Sequence, residues 1–244
     1  RTGAIGYDCV PVTSAETVAL GIGNFARNLA ALKHVDRLTT ISRAAAGEYG
    51  GWRAMLAGSG LAGPLIEPII LPATAPGTSE QALTAVARRL TPDDRALVVV
   101  VGSNEPRKNH LAVLHAAELL RARGLDFRLV FLGGRGWGSE GFLDRVEQLR
   151  AGGMPVEVWR GASDEELSAA YRLARFSVFP SLNEGYGLPV AESLACGTPV
   201  ITSDFGSMRE IAEAGGALLV DPRDDHAIAA AMERLLLDDA VHAT

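Results

Sequence analysis

The sequence lacks long apolar runs, cysteine pairs and an excess of basic residues. Of its 244 residues only two are cysteine, Cys9 and Cys196, so neither a disulfide framework nor a cysteine-based metal site is predicted. A net charge of −6 argues against a broad basic surface, and no nucleic-acid partner is expected. No apolar run reaches the roughly 18–20 residues of a membrane span, and no signal-peptide pattern opens the chain. These features favour a reduced, cytoplasmic location.

Several patterns for ligands and metals are also absent. No Gly-x-Gly-x-x-Gly follows the first strand of the second half, which disfavours a dinucleotide-dependent oxidoreductase. No Asp-x-Asp-type motif is found, so neither a metal nor another cofactor is expected. The chain begins with Arg1 and a strand pattern follows almost at once, so we expect that an earlier portion precedes it.

What is present is an alternation of short apolar runs and longer amphipathic segments. The first portion predicts strands at Ala4–Val10, Arg37–Ile41 and Ile66–Leu71, and helices over Thr17–Leu32 and after an N-cap at Ser42. Cys9 and Cys196 are expected in a buried strand and a buried helix. The stretch Ala73–Glu80 is rich in Pro, Gly, Thr and Ser and predicts a linker. Two domains are therefore predicted, over residues 1–76 and 77–244.

From Ala96 onwards the alternation becomes regular. Six strands are predicted, at Ala96–Val101, Arg128–Leu132, Val156–Trp159, Phe176–Pro180, Pro199–Thr202 and Ala217–Val220. The helices predicted around them are Ser79–Leu90, Asn109–Arg123, one opened by a capping box from Ser163 to Glu166, and His226–Leu236. Strands that alternate with helices indicate a doubly wound, Rossmann-like parallel sheet of about six strands, preceded by a partial second α/β domain.

The strand order of such a sheet predicts where a ligand binds. If the order is 3-2-1-4-5-6, a crevice opens between the first and fourth strands at their carboxyl ends. The loops there are GSNEPRKNH, Gly102–His110, and SLNEGYGLP, Ser181–Pro189. His110 is expected to cap or line the first loop, and the other histidines are expected at the surface; they are His34, His115, His226 and His242.

The two loops carry complementary chemistry. Arg107 and Lys108 supply cations for phosphate oxygens. Gly185 and Gly187 let the backbone approach a ligand, and a helix that begins near Leu188 aims unpaired N–H groups at it. Considered without the other features, Arg107 and Lys108 could instead be ordinary solvated charges in a surface loop. Together, the features predict a diphosphate site.

Glu184 and Glu192 need a different explanation, because carboxylates repel phosphate. They can accept hydrogen bonds from the hydroxyl groups of a ribose or a hexose. A carboxylate on each side of a phosphate cradle suits a nucleotide-sugar, although Glu192 could instead simply favour its helix dipole.

The second half resembles the donor-binding domain of retaining GT-B glycosyltransferases, specifically glycosyltransferase family 4. The matching segments are VGSNEPRKNH (Val101–His110), SDEEL (Ser163–Leu167), VFPSLNEGYGLPVAESLACGTPVITSD (Val178–Asp204) and LLVDPRD (Leu218–Asp224). Two glutamates with seven residues between them, the first of which opens the stretch EGYGLP, are specific for this kind of enzyme. The fold implied is of GT-B type.

The resemblance implies a role for each matching residue. Arg107 and Lys108 are the cations for the donor diphosphate, Glu184 contacts the transferred sugar and Glu192 the ribose. Arg107, Lys108 and Glu184 are thus the implied catalytic residues. The other implied donor-binding residues are Gly102, Ser103, Arg160, Gly185, Tyr186, Gly187 and Leu188. The loop Gly133–Trp137 lines the floor of the crevice.

The first portion resembles the end of the acceptor-binding domain of the same family. YDCVPVTS (Tyr7–Ser14) and TTISRAAAGEY (Thr39–Tyr49) carry this resemblance. Tyr7 stands where many members have histidine, so we interpret it as a strand residue rather than a catalytic one.

The function implied is transfer of a hexose, with mannose from GDP-mannose as the first choice and UDP-linked hexoses next. The acceptor implied is a glycan or a lipid-linked sugar in surface polysaccharide synthesis, which would bring the full-length enzyme to the inner membrane face. Two alternatives stay open: a catalytically incomplete nucleotide-sugar-binding fragment, and another GT-B enzyme such as an epimerase or a phosphorylase.

Overall fold

The computed structural model describes residues 1–17 and 22–238. Its strands, in chain order, are β1 (Gly3–Gly6), β2 (Arg37–Thr40), β3 (Leu65–Pro68), β4 (Ala96–Val101), β5 (Phe127–Leu132), β6 (Val156–Trp159), β7 (Phe176–Phe179), β8 (Val200–Ser203) and β9 (Ala217–Val220). Its α-helices are α1 (Val10–Thr13), α2 (Ile22–Leu32), α3 (Arg43–Gly58), α4 (Glu80–Leu90), α5 (His110–Ala122), α6 (Glu140–Ala151), α7 (Asp164–Leu173), α8 (Leu188–Ala195), α9 (Gly206–Ala212) and α10 (Asp225–Leu237).

The chain forms two compact units. The first contains Arg1–Pro72 together with two short later segments, Asn183–Gly187 and Phe205–Ile211, and the second contains the remainder. On the sequence alone, both segments were assigned to the second domain. The domain bounds at residues 76 and 77 stay a prediction.

The first unit is built on a parallel sheet in the order β1-β2-β3. Leu38 of β2 and Tyr49 of α3 are buried together with Cys9. The predicted N-cap of α3 is confirmed, since the Ser42 side chain accepts a hydrogen bond of 2.9 Å from the Ala45 amide.

Two sequence predictions in this unit are wrong. The strand predicted over Ala4–Val10 ends at Gly6, and Cys9 is the N-cap of the short helix α1 rather than a strand residue. Pro11 lies in the first turn of that helix, where its missing N–H costs nothing. Of the helix predicted over Thr17–Leu32, the structure describes Ile22–Leu32 as α-helix, whereas Thr17 lies in a 3₁₀ turn; the part of that prediction over residues 18–21 lies outside the described residues.

The second unit contains a six-stranded parallel sheet in the order β6-β5-β4-β7-β8-β9. This is the doubly wound order 3-2-1-4-5-6 on which the predicted crevice depends, and the predicted parallel sheet of about six strands is confirmed. Side chains alternate along β4. Val98 and Val100 join the core on one face, which includes residues of α5, α6 and α10, while Val99 and Val101 join the core on the other, which includes residues of α4 and α7.

Smaller differences affect the ends of elements. Pro180 and Pro199 lie just outside β7 and β8, because proline cannot donate to a strand ladder. The predicted capping box of α7 is confirmed: the Glu166 amide donates to Ser163 Oγ at 3.3 Å, and the Ser163 amide donates to the Glu166 carboxylate at 2.8 Å. Cys196 follows α8 and is half-buried rather than inside a buried helix.

In the described part of the chain, no helix is both long enough and apolar enough to cross a membrane.

Candidate functional site

The loop after β4 turns sharply at both of its ends. Gly102 follows the strand with a φ of 144°, and Asn109 closes the loop in the left-handed conformation with a φ of 58°. Between them Pro106–Lys108 forms a 3₁₀ turn. The Asn109 side chain donates to the carbonyl of Pro222 at 2.6 Å, which anchors the end of the loop. The backbone thus presents Arg107 and Lys108 one after the other, just before α5.

Arg107 is held by a carboxylate from its own loop. Its Nη2 donates to Glu105 Oε1 at 2.9 Å, and Ser103 Oγ donates to the same oxygen at 3.0 Å. The side chains of Arg107 and Glu105 are only 16% and 19% exposed. Partial burial and a shared acceptor therefore restrict the orientation of the guanidinium group.

Lys108 lies beside the start of the loop. Its Nζ is 5.1 Å from the centre of the Phe179 ring, and its methylenes approach Gly102 closely enough to contact a Cβ placed there, at 3.6 Å. The aliphatic stem of Lys108 therefore packs at the carboxyl ends of β4 and β7, as a snorkelling lysine does.

The loops after the first and fourth strands of the sheet meet, as predicted. The carbonyl oxygen of Arg107 accepts hydrogen bonds from the Leu182 amide at 2.8 Å and from Ser181 Oγ at 3.1 Å. The Ser181 carbonyl in turn accepts from Ser203 Oγ at 2.6 Å. These contacts fasten the Arg107 turn to the end of β7, at the point where the strand order of the sheet reverses.

Helix α8 begins at Leu188, which is exposed, and contains Glu192 in its second turn. The Glu192 side chain is half-buried, and its Oε2 accepts a hydrogen bond of 3.4 Å from the hydroxyl of Tyr171. Burial raises the pKa of Glu192, and the nearby Asp164 adds to that shift, while the Tyr171 hydrogen bond opposes it. Glu192 is therefore a carboxylate in a partly desolvated environment.

The predicted crevice floor, Gly133–Trp137, packs directly against the loop after β4. Gly133 leaves no room for a side chain, because a Cβ there would overlap the carbonyl oxygen of Gly102. Asn104 and Arg135 form an isolated bridge, and the Gly133 amide donates to the carbonyl of Trp159 at 3.1 Å. The close approach of Gly133 to Gly102 and the bridge between Asn104 and Arg135 thus set the distance between the loops after β4 and β5.

Two predicted residues lie elsewhere in the second unit. Arg160 is exposed directly after β6, which is the edge strand two positions from β4. His110 is buried at the start of α5 instead of lining the loop, and its ring centre lies 5.2 Å from that of Phe131 and 5.4 Å from that of Phe142. Burial lowers the pKa of His110 to about 3, so its ring is neutral. His34, His115 and His226 are exposed, as predicted, and His242 lies outside the described residues.

The segment Asn183–Gly187 makes its contacts within the first unit. Ser42 Oγ donates to the carbonyl of Gly185 at 2.7 Å, and Ser207 Oγ donates to the carbonyl of Glu184 at 2.9 Å. The hydroxyl of Tyr186 donates to the carbonyl of Leu71 at 2.7 Å. Gly187 has a φ of 105°. Buried or half-buried hydroxyl groups therefore fix the backbone on which Glu184 lies.

Gly185 also explains the position of Tyr7. A Cβ at Gly185 would come within 2.5 Å of the Tyr7 carbonyl oxygen, so this close backbone approach requires glycine. Tyr7 follows β1 and its side chain is 64% exposed. The interpretation of Tyr7 as a strand residue is wrong.

Sequence reasoning did not identify two residues that contact the predicted site residues, Glu105 and Tyr171. The sequence could have indicated Glu105, because a glutamate two positions before Arg107 in the same loop is close enough to form an ion pair with it. No sequence signal points to Tyr171. It is 21 positions from Glu192, and its place in the pattern is that of an ordinary core residue of α7. Within the described ranges no cluster of three or more His, Cys, Asp or Glu side chains suited to a metal ion occurs.

Residues 84–243 match the family "Glycosyl transferases group 1". The chain is 36% identical over 141 residues to O-antigen chain mannosyltransferase B of Escherichia coli, covering 57% of this chain and 36% of that protein. It is 34% identical over 173 residues to D-inositol 3-phosphate glycosyltransferase of Salinispora tropica, covering 67% of this chain and 36% of that protein. The chain thus spans about a third of the length of these relatives.

A solved structure supports the fold. The Anabaena protein Alr3699/HepE, crystallised with UDP and glucose, superimposes with a TM-score of 0.79 over 99% of this chain and 63% of its own, at 16% identity. The chain belongs to the glycosyl transferases group 1 family, and its fold is α/β of the GT-B type.

Proposed function

We propose that this chain carries the donor-binding part of a retaining hexosyltransferase of glycosyltransferase family 4. Its donor is a nucleotide-sugar, with GDP-mannose as the first choice, and its acceptor is a glycan or a lipid-linked sugar in surface polysaccharide synthesis. The enzyme works in the cytoplasm, with the full-length protein peripheral at the inner membrane face.

One observation carries the proposal. The turn with Arg107 and Lys108 is hydrogen-bonded through the Arg107 carbonyl to the residues that follow β7, at 2.8 Å to the Leu182 amide. This is the switch point of the sheet, where open α/β folds bind their ligands. Two cations are thereby fixed at the position at which a ligand diphosphate is expected.

The chemistry of these groups suits a leaving nucleoside diphosphate. As the bond between the anomeric carbon and the phosphate oxygen breaks, positive charge grows on the sugar and negative charge on the diphosphate. Arg107, Lys108 and the amides at the start of α8 stabilise the negative charge. No metal is required for this role, because the charge is met by side chains and backbone N–H groups.

The carboxylates serve the neutral parts of the donor. Glu192 accepts hydrogen bonds from the ribose hydroxyls, and Glu184 accepts them from the transferred sugar. Gly102, Ser103, Gly185, Tyr186, Gly187 and Leu188 contact the phosphates and the sugar, and Arg160 lies near the base. Retention follows a front-face route, in which the leaving phosphate takes the proton of the acceptor hydroxyl.

The choice of donor follows the relatives. O-antigen chain mannosyltransferase B supports mannose, and the Anabaena structure with UDP and glucose makes a UDP-hexose the second choice. The named relatives are transferases, which favours transfer over epimerisation.

A transfer assay tests the proposal. The chain, and the longer protein that contains it, are incubated with GDP-mannose, UDP-glucose and an O-antigen-type oligosaccharide acceptor, and products are resolved by mass spectrometry and proton NMR. We expect an α-linked product from an α-linked donor. Lys108→Ala should lower the turnover rate about 100-fold or more, as loss of one stabilising group of the leaving charge does.

Lys33→Ala is the matched control, because Lys33 is the other lysine of the chain and lies outside the proposed site. Thermal unfolding of both variants separates lost chemistry from lost folding. Normal turnover by folded Lys108→Ala would contradict the leaving-group role. An inverted product would contradict retention, and nucleotide binding without turnover by the longer protein would favour a mere binding module.

A further inference from the structure

Tyr171 is the feature of the second unit that the proposed site does not yet use. It lies in the last turns of α7 and is fully buried, among the largest side chains of which this is true. Its hydroxyl shares its one proton between the carbonyl of Pro189, at 3.2 Å, and Glu192 Oε2, at 3.4 Å, as a three-centre hydrogen bond. A single buried phenol thus contacts both the first turn of α8 and the side chain of Glu192.

The environment of Tyr171 keeps its hydroxyl protonated, as a hydrogen-bond donor, and holds it in place. Burial and the adjacent carboxylate raise the pKa of Tyr171 well above its ordinary value, so the proton stays on the oxygen. The backbone behind the ring is anchored as well, because Thr198 Oγ1 donates to the Tyr171 carbonyl at 2.7 Å. The donor therefore has one position, set by the core rather than by a solvent-exposed loop.

We propose that Tyr171 is a positioning residue that holds the Glu192 carboxylate, through its hydroxyl, in the orientation that receives the ribose of the donor. This inference rests on the proposed function, since Glu192 is the ribose ligand only there. A glutamate side chain samples several rotamers, and fixing it before the ligand arrives removes part of the entropy cost of binding. The contact of the same hydroxyl with the Pro189 carbonyl also holds the first turn of α8, the helix that contains Glu192, against α7.

Nucleotide titration of Tyr171→Phe tests the inference, because this change removes the hydroxyl and keeps the buried ring. The probes are GDP and its 2′,3′-dideoxy analogue, measured by calorimetry on the chain and on the longer protein. We expect Tyr171→Phe to weaken GDP about two- to tenfold, the range of one net hydrogen bond. The analogue has no ribose hydroxyls, so its affinity should change little.

Two further variants make the result specific. Glu192→Ala removes the side chain that Tyr171 holds and weakens GDP, so Tyr171→Phe added to Glu192→Ala should cost nothing more, because both act on one interaction. Thr91→Val is the matched control: it removes a hydroxyl that donates to the carbonyl of Ala87 at 2.9 Å, at the end of α4 and outside the proposed site. It should leave GDP affinity unchanged.

The failures of the two proposals are distinguishable. If Glu192→Ala weakens GDP and Tyr171→Phe does not, the proposed function stands and the positioning role is wrong. Equal losses for GDP and its dideoxy analogue, or for Thr91→Val and Tyr171→Phe, would also overturn the positioning role. If neither GDP nor UDP binds even the longer protein, the proposed function is wrong, and the positioning role, which rests on it, is wrong as well.

Discussion

Glu192 is a residue whose place in the fold conflicts with its proposed role. A carboxylate that accepts ribose hydroxyls must be ionised, yet burial raises the pKa of Glu192 and disfavours that form. A raised pKa means that the folded state binds this proton more tightly than the unfolded chain does. The group therefore favours folding at low pH, and this contribution is lost as the pH rises through the raised pKa.

We expect Glu192→Gln to be more stable than the unsubstituted chain at neutral pH, while it binds nucleotide more weakly. The amide keeps the shape and the acceptor for Tyr171 without the desolvated charge. Urea unfolding at about pH 7.5 and about pH 4 checks this, and the gap should narrow at the lower pH.

Glu147→Gln, at an exposed site in α6 where the carboxylate pairs with Arg150, controls for the loss of one negative charge. A Glu192→Gln variant that is less stable than the unsubstituted chain at neutral pH would show that the ionised carboxylate stabilises the fold.

At the scale of single residues, the sequence predicts those side chains that lie in unusual loops. Arg107 and Lys108 stand out because two cations precede a helix. Tyr171 does not, because its contact with Glu192 depends on how α7 and α8 pack and not on spacing along the chain. The sequence does not predict the burial of His110 for the same reason: Lys108, two positions before it, is partly exposed, but the His110 ring packs in the core against Phe131 and Phe142.

At the scale of elements, the start of α5 contains a buried polar group. Among the described residues, neither ring nitrogen of His110 has a hydrogen-bond partner. Burial, and secondarily Lys108, lower its pKa from 6.5 to about 3. For a base with a depressed pKa, folding stability is present above about pH 6.5 and is lost as the pH falls towards 3.

We expect His110→Phe to remove this pH dependence. Between about pH 6.5 and about pH 5 the unsubstituted chain should lose on the order of 2 kcal/mol more of its free energy of unfolding than the variant. Phenylalanine has a similar size and adds to an aromatic cluster, so the variant should also be at least as stable at neutral pH. Urea unfolding at the two pH values measures both effects.

His226→Gln is the control, because His226 is an exposed histidine at the start of α10. It should keep the acid sensitivity of the unsubstituted chain. Equal losses of stability in His110→Phe and in the unsubstituted chain would mean that the ring is protonated in the folded state or reaches water.

Elements of the second unit were more predictable than those of the first. β4 reads as an uninterrupted apolar run because helices cover both of its faces. In the first unit the segment Ala4–Val10 is also apolar, but Pro11 and the hydrogen bond from the Val10 amide to the Asp8 side chain at 3.0 Å turn its end into a helix. Local capping chemistry overrode the apolar pattern there.

At the scale of the whole molecule, the succession of strands and helices along the chain predicts the parallel sheet but not the division into compact units. The alternation of strands and helices predicts a doubly wound parallel sheet, and the observed order is one of those that such a sheet adopts. The membership of Asn183–Gly187 and Phe205–Ile211 in the first unit depends on contacts such as Ser42 Oγ to the Gly185 carbonyl, 143 positions apart. No local pattern contains that information.

The central claim is that this chain binds a nucleotide-sugar through Arg107, Lys108 and Glu192. Calorimetric titration with GDP, UDP and ADP and their hexose conjugates tests it most directly, on the unsubstituted chain, Lys108→Ala, Glu192→Ala and the control Lys33→Ala. The account predicts selective binding of one nucleotide, weakened by the first two substitutions and not by the third. Binding that neither Lys108→Ala nor Glu192→Ala weakens, or no binding even by the longer protein, would contradict it.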